Sequence, residues 1–280
     1  MRPVEQGRRR VPAGEAVSRT ATASLLRRFA DQFAAAVAEG SVRHEVPGYR
    51  VHLWARPHPF YRNVAIPTDA ACLHPSSVAR MLEVFTANAR TPRLEFFAEL
   101  WPGLGQTLEA AGLDMDRTAQ VMFRDRADEP LPPAGALAAL LGPETPRDRL
   151  EAFLAAATAV FGDLGQADAD EVDRLAAGLA RESIAAAAAA VGCQPVAGAS
   201  LIRTGAVAEL AGVWTLPGWR RCGLARACCR LLLDRFFATG GELAWLSVGD
   251  AAGAALYVGL GFRPCGTQLN YAGDRDSGSV

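Results

Sequence analysis

The sequence predicts a mixed α/β fold arranged as two units, on three observations. Short strand-like runs alternate with helical segments that carry one apolar face, along nearly the whole chain. A stretch from Asp125 to Pro146, with Pro130, Pro132, Pro133 and Pro143 inside it, interrupts that alternation near the middle. Prolines at this density sustain neither a helix nor an internal strand. Third, 280 residues are enough for two domains of ordinary size, each able to bury its own core. The expected division is a basic tail at 1–18, a first unit at 19–126, a linker at 127–146, a second unit at 147–273 and a short tail at 274–280.

Taken in order, Thr20 to Ala38 sets Leu25, Leu26, Phe29, Phe33 and Val37 at helical spacing, and Gly40 supplies the stop. Strands are expected at Tyr49–Trp54 and Tyr61–Ile66, bounded by Pro47-Gly48, Pro57, Pro59 and Pro67. Pro75 then opens a helix with Val78, Met81, Leu82 and Phe85 on one face. A strand at Arg93–Phe97, a helix from about Glu99 to Ala111 and a strand at Thr118–Arg124 complete the first unit.

The second unit begins with helices near Arg147–Phe161 and Ala169–Leu179, followed by strands at Ser183–Val191, Gln194–Arg203 and Val207–Thr215. Propensity alone would make the alanine tract Ala185–Ala190 helical. The turn residues Gly192-Cys193-Gln194-Pro195 follow at once, however, and two more strand-like runs come next, so a meander is the consistent solution. Beyond a glycine loop come a helix to Ala238, a strand at Leu243–Val248, a helix at Ala251–Leu260 and a last strand at Thr267–Tyr271.

Composition narrows the chemistry. Half of the residues are hydrophobic and the net charge is −1, so no electrostatic footprint for nucleic acid or an acidic membrane surface is expected. All 29 basic residues are arginines. The absence of lysine excludes a Walker A phosphate loop and Schiff-base catalysis. Six cysteines occur without a Cys-x-x-Cys pair, and His44, His52, His58 and His74 show no ligand spacing. Reduced thiols, no metal site and a cytoplasmic, non-membrane protein are therefore the expectation.

The stretch Arg220-Arg221-Cys222-Gly223-Leu224-Ala225 carries the most chemistry. A strand, a tight glycine turn and a helix start aim unpaired backbone N–H groups and the positive end of a helix dipole at one point, where a phosphate fits. The spacing Arg-x-x-Gly-x-Ala resembles the pyrophosphate loop of the GNAT superfamily of N-acetyltransferases. Val213-Trp214-Thr215-Leu216-Pro217-Gly218-Trp219-Arg220 leads into it as in that family's V-x-T/V-x-P-x-x-R-x-x-G-x-G/A pattern, and Ala255 to Phe262 is similar to its x-L-Y-x-x-x-G-F signature. The order of elements in the second unit matches as well.

This resemblance implies an acetyl-CoA-dependent N-acetyltransferase. It implies two GNAT-like units, each a mixed, mostly antiparallel sheet flanked by helices, with a splayed parallel strand pair in the second. Val213, Trp214 and Thr215 would meet the pantetheine arm and acetyl group, while Arg220, Arg221, Cys222, Gly223, Leu224, Ala225 and Arg226 would hold the pyrophosphate. Tyr257 would be the general acid. Asp250 stands where the family often has Asn or Ser on the cofactor, although an acid fits poorly beside a polyanion. Glu209 precedes Arg220 by the interval seen for the general base of histone-acetylating relatives, and burial would raise its pKa usefully; a strand-edge glutamate facing solvent is the competing reading, and Glu182 is a second possible base.

Thr91 to Arg124 repeats the tail of the second unit in outline, with Ala111-Gly112-Leu113 in the place of Leu260-Gly261-Phe262. It lacks the arginine-glycine loop and the tyrosine, and so resembles the degenerate half of tandem GNAT proteins. Its expected role is to shape the acceptor pocket with Trp54, Phe60, Tyr61 and Trp101. The acceptor is expected to be an amine of a small molecule or peptide, and the protein a monomer or homodimer. A non-catalytic acyl-CoA sensor, or transfer to a hydroxyl or thiol or from a longer acyl donor, are the competing functions.

Overall fold

The computed structural model describes residues 19–55, 62–128, 137–162 and 166–273. Their strands form one sheet of eleven strands in the order β1-β2-β3-β4-β11-β5-β10-β9-β8-β7-β6. In the first half, helix α1 (Arg19–Ala38) leads into β1 (Ser41–Val46), β2 (Tyr49–Trp54) and β3 (Val64–Pro67), followed by α2 (Pro75–Ala87), β4 (Arg93–Phe97), α3 (Leu104–Ala110) and β5 (Asp114–Asp125). The second half comprises β6 (Ala139–Leu141), α4 (Arg147–Phe161), α5 (Ala169–Ala180), β7 (Ile184–Val191), β8 (Gln194–Thr204), β9 (Val207–Thr215), α6 (Leu224–Ala238), β10 (Leu243–Val248), α7 (Ala251–Val258) and β11 (Arg263–Ala272).

The alanine tract is a strand because both of its faces are covered. Ala187 and Ala189 pack under α6 on one side, while Ile184 and Ala186 pack under α4 and α5 on the other. A doubly covered strand reads as a continuous apolar run, and small side chains let the helices lie close. Gly198 on β8 serves the same end, since a Cβ there would fall 2.4 Å from Phe153 and 2.8 Å from Trp214.

The two halves exchange their last strands. β5, which ends the first half, pairs antiparallel with β10 of the second, and β11, which ends the chain, is inserted between β4 and β5. Each half otherwise repeats one plan: a parallel pair (β3 with β4, β9 with β10), then a helix, then the exchanged strand. The two predicted sheets are thereby continuous.

Helix α1 locks this junction. It packs on the same sheet face as α4 and α5, with Leu26 and Phe29 against Phe97, Val121, Phe123 and Trp245 from both halves. Gln32 bridges further, accepting from Trp245 Nε1 at 2.8 Å and donating to the Ile202 carbonyl at 2.9 Å. The opposite face carries α2 and α3 over the first half and α6 with α7 over the second.

Several boundaries differ from expectation. β1 and β6 were not predicted: β1 alternates polar and apolar residues too weakly, and β6 has only three residues within the proline-rich stretch. The helix expected from Glu99 starts only at Leu104, because Pro102-Gly103 places a left-handed Gly103 (φ 88°) at its N-cap. The tails, most of the proline-rich stretch, His58, Phe60 and Tyr61 lie outside the described residues.

Candidate functional site

The parallel pairing of β9 with β10 is short. Leu243, Ala244 and Trp245 face Val207, Ala208 and Glu209 in register, and beyond that rung the strands part. The resulting wedge opens into a cleft of about 960 Å³, walled by Glu209–Thr215 on one arm and Ser247–Asp250 on the other, and closed by the glycine loop and α7. Glu209 sits at the apex.

A bulge re-aims the β9 arm. Between the pairs Ser200↔Ala211 and Gly198↔Trp214, β9 holds one residue more than β8, and Gly212 takes up the excess at φ 56°. Side chains alternate along a strand, and the extra residue resets that alternation. Val213 consequently packs toward the α6 face, whereas Trp214 turns to the opposite face and is buried against Phe153, ring centroids 5.6 Å apart. A glycine inside a strand run was the available signal for the bulge. Trp214, expected at the cofactor, lines the cleft with its side chain turned away and buried, which leaves its backbone to border the opening.

The loop is built as an open helix start. Arg221 adopts φ 65° and Gly223 φ 77°, and α6 has no side chain capping its first turn. Its leading N–H groups therefore face the cleft without an internal acceptor. Arg220 reaches back through Nε to the Thr215 carbonyl at 3.4 Å, and Arg226 donates to the Gly259 carbonyl at 2.8 Å, tying α6 to α7. Arg220, Arg221, Gly223, Leu224, Ala225 and Arg226 line the cleft; the exposed Cys222 lies between them with its thiol toward the Arg220 carbonyl. The corresponding place in the first half is filled. There His74 caps α2 through Nδ1, and a Cβ on Gly48 would lie 2.2 Å from the Cys72 backbone nitrogen.

Tyr257 projects into the cleft from α7, its ring edge-on to Phe262 at 6.1 Å, and burial raises its pKa further, with Cys229 and Asp250 adding to the effect. Its phenol is thus protonated at neutral pH. Two side chains fix α7, one buried and one exposed. Arg124 from β5 donates to the Leu260 carbonyl at 2.9 Å, and Asp250 caps the helix by accepting from Gly253 N at 2.8 Å. Asp250, expected at the cofactor, lines the cleft while one of its carboxylate oxygens makes this cap.

Burial lifts the pKa of Glu209 to about 8, with the nearby Glu95 carboxylate contributing after it. Glu95 belongs to β4 of the first half, where it is ion-paired with Arg93 and accepts from Gln268 Nε2 at 3.1 Å. Desolvation raises its own pKa, and Arg93 and Arg117 oppose that rise. Sequence reasoning missed both Glu95 and Arg117, because the strand exchange that brings them to this junction leaves no local signature. Glu182, the second possible base, lies away from the cleft and pairs with Arg235 at 3.2 Å. Trp54 and Trp101 do not line the cleft either. Among the described residues no group of three potential metal ligands occurs, and no helix is long and apolar enough to cross a membrane.

Comparison with known proteins agrees with this geometry. Residues 150–262 match the model of the acetyltransferase (GNAT) family. No curated protein matches the chain. Among solved structures, a GCN5-related N-acetyltransferase from Kribbella flavida superposes with TM-score 0.71 at 22% identity, covering 90% of this chain and 96% of the other. One from Sphaerobacter thermophilus gives 0.62 at 15%, covering 80% and 76%. A tandem GNAT protein from the clavulanic acid biosynthesis pathway gives 0.53 at 15%, covering 82% and 80%. The family match thus identifies residues 150–262 as a GNAT acetyltransferase domain, and the fold along nearly the whole chain is shared with solved GCN5-related N-acetyltransferases and a tandem GNAT protein.

Proposed function

We propose that the protein transfers an acetyl group from acetyl-CoA to an amine by direct attack. The observation that carries this reading is the wedge at Glu209 and Trp245, lined by both an uncapped helix start and the protonated Tyr257. The residues present fit the donor. The first turn of α6 with Arg220, Arg221, Gly223 and Ala225 would take the pyrophosphate, and the backbone of Val213 to Thr215 would take the pantetheine arm as an added strand. Acetyl-CoA would supply an activated acyl carbon and a thiolate leaving group.

The chain's own groups then have separate tasks. Ionised Glu209 removes the proton of the acceptor ammonium, directly or through water, and a pKa near 8 suits a base working close to neutrality. Tyr257 donates its phenolic proton toward the departing sulfur. The first half, whose own loop is filled, would hold the acceptor by way of its exchanged strand.

The test is calorimetric titration with acetyl-CoA followed by an amine panel, with free thiol release as the readout. Binding plus amine-dependent thiol release supports the proposal. Tight binding with no acetylated product would favour an acyl-CoA sensor, and product formed only on hydroxyl or thiol acceptors would move the activity to that class.

A further inference from the structure

Side-chain parity at the wedge separates two faces. Leu210 and Val213 pack toward α6 and α7, the side of the loop and Tyr257. Glu209 shares the other face with Trp245 and Phe123, its partners across the strands, and Ser247 lies two residues beyond Trp245 on that face. Stepping from Phe123 along β5 in twos reaches Val121, Ala119 and Arg117. Arg117 lines the cleft with its guanidinium against Gly249, where a Cβ would sit 3.4 Å from Nε. The end of α4, Val160 and the exposed Phe161, closes the same side.

The four arginines that line the cleft divide between these faces. Arg220, Arg221 and Arg226 sit together at the loop and the first turn of α6, where a pyrophosphate would engage them. Arg117 stands apart on the first half's exchanged strand, and among the described residues it has neither an ion pair nor a hydrogen bond. The Glu95 carboxylate is ion-paired with Arg93 and acts on Arg117 only through space, so the guanidinium donors remain available for a planar anion held through two parallel N–H···O bonds. Glu209 and Glu95 occupy the same face. Their carboxyl oxygens would accept from an ammonium group, so the matching ligand carries an amine beside its anion.

Resting on the acetyl-transfer reading above, we propose that the acceptor is an amino carboxylate: its amine lies toward Glu209 and its carboxylate is bound by Arg117. Arg117, on the first half's exchanged strand, is then the residue that sets acceptor specificity.

The experiment measures binding and turnover of amino acids, with the amine at different distances from the carboxylate, against their matching carboxamides. Protein saturated with CoA is used for binding, and acetyl-CoA for turnover. A carboxylate preference is expected, of about tenfold or more for a charge-assisted pair, lost in Arg117→Gln and partly kept in Arg117→Lys, with acetyl-CoA affinity unchanged. Equal binding of acids and amides by the native protein would overturn the inference. So would an Arg117→Gln loss that falls on acetyl-CoA instead. A preserved preference in binding without any turnover would overturn the acetyl-transfer reading alone.

Discussion

Glu209 and Trp245 form the last rung of the parallel ladder between β9 and β10, so the carboxyl group stands where the sheet begins to open. That placement accounts for two of its properties together. The paired strands and α1 behind it withdraw water and raise its pKa to about 8, while the parting strands in front leave it on the cleft wall.

A base must be ionised to act. If Glu209 takes the acceptor proton, kcat/KM rises with pH and levels off above about 8. Glu209→Gln is expected to remove that limb and lower turnover by about a hundredfold to ten-thousandfold, the usual worth of a positioned base. A pH–rate profile of the variant that overlays the native one would return Glu209 to a structural role.

Glu95 raises the pKa of Glu209 from the other half of the molecule. Its like charge is the second cause of the raised pKa of Glu209, so Glu95→Gln should move the inflection toward lower pH and leave its amplitude in place. Loss of amplitude without movement would mean that the substitution had damaged the Arg93 and Gln268 contacts instead.

The same group writes pH into stability. Its folded-state value lies above the ordinary 4.5, so the folded protein retains a proton that the unfolded chain has released between about 4.5 and 8. The stability linked to Glu209 is therefore complete below 4.5 and is lost as pH rises through 8. Thermal melts of Glu209→Gln across this window should show a shallower decline than the native protein. Parallel curves would contradict the burial argument.

On the opposite side of the cleft, Tyr257→Phe keeps the edge contact with Phe262 and deletes only the hydroxyl. Turnover should fall by about tenfold to a thousandfold with acetyl-CoA affinity nearly unchanged, as expected when a proton donor to the leaving group is removed. Unchanged turnover, measured under conditions where chemistry limits the rate, would remove the assigned role.

Local chemistry was legible and non-local pairing was not. The strand-loop-helix at Thr215 to Leu224, the tyrosine helix and even the alanine strand follow from turn residues and short-range pattern. The bulge at Gly212 had a signal, a glycine within a strand, that was read as ordinary strand. The exchange of β5 and β11 had none. Arg93 to Asp125 and Leu243 to Ala272 each read as a complete strand-helix-strand unit, and whether the third element pairs at home or across the molecule depends on contacts more than a hundred residues apart.

The exchange makes the halves interdependent. A chain restricted to residues 137–280 would keep β11 but lose both of its partners, β4 and β5, and would leave the β5 side of β10 as an open edge. It would also lose Gln32, stranding the buried Trp245 N–H at a cost of about 1–3 kcal/mol. Exposed edges of this kind invite pairing with other chains. The isolated piece should therefore be aggregated or unfolded, while co-expression with residues 1–128 should restore a soluble complex with cooperative melting and acetyl-CoA binding. A monomeric 137–280 fragment that binds acetyl-CoA like the full chain would show that β11 can return to β10, and that the first half is dispensable for the cofactor side of the site.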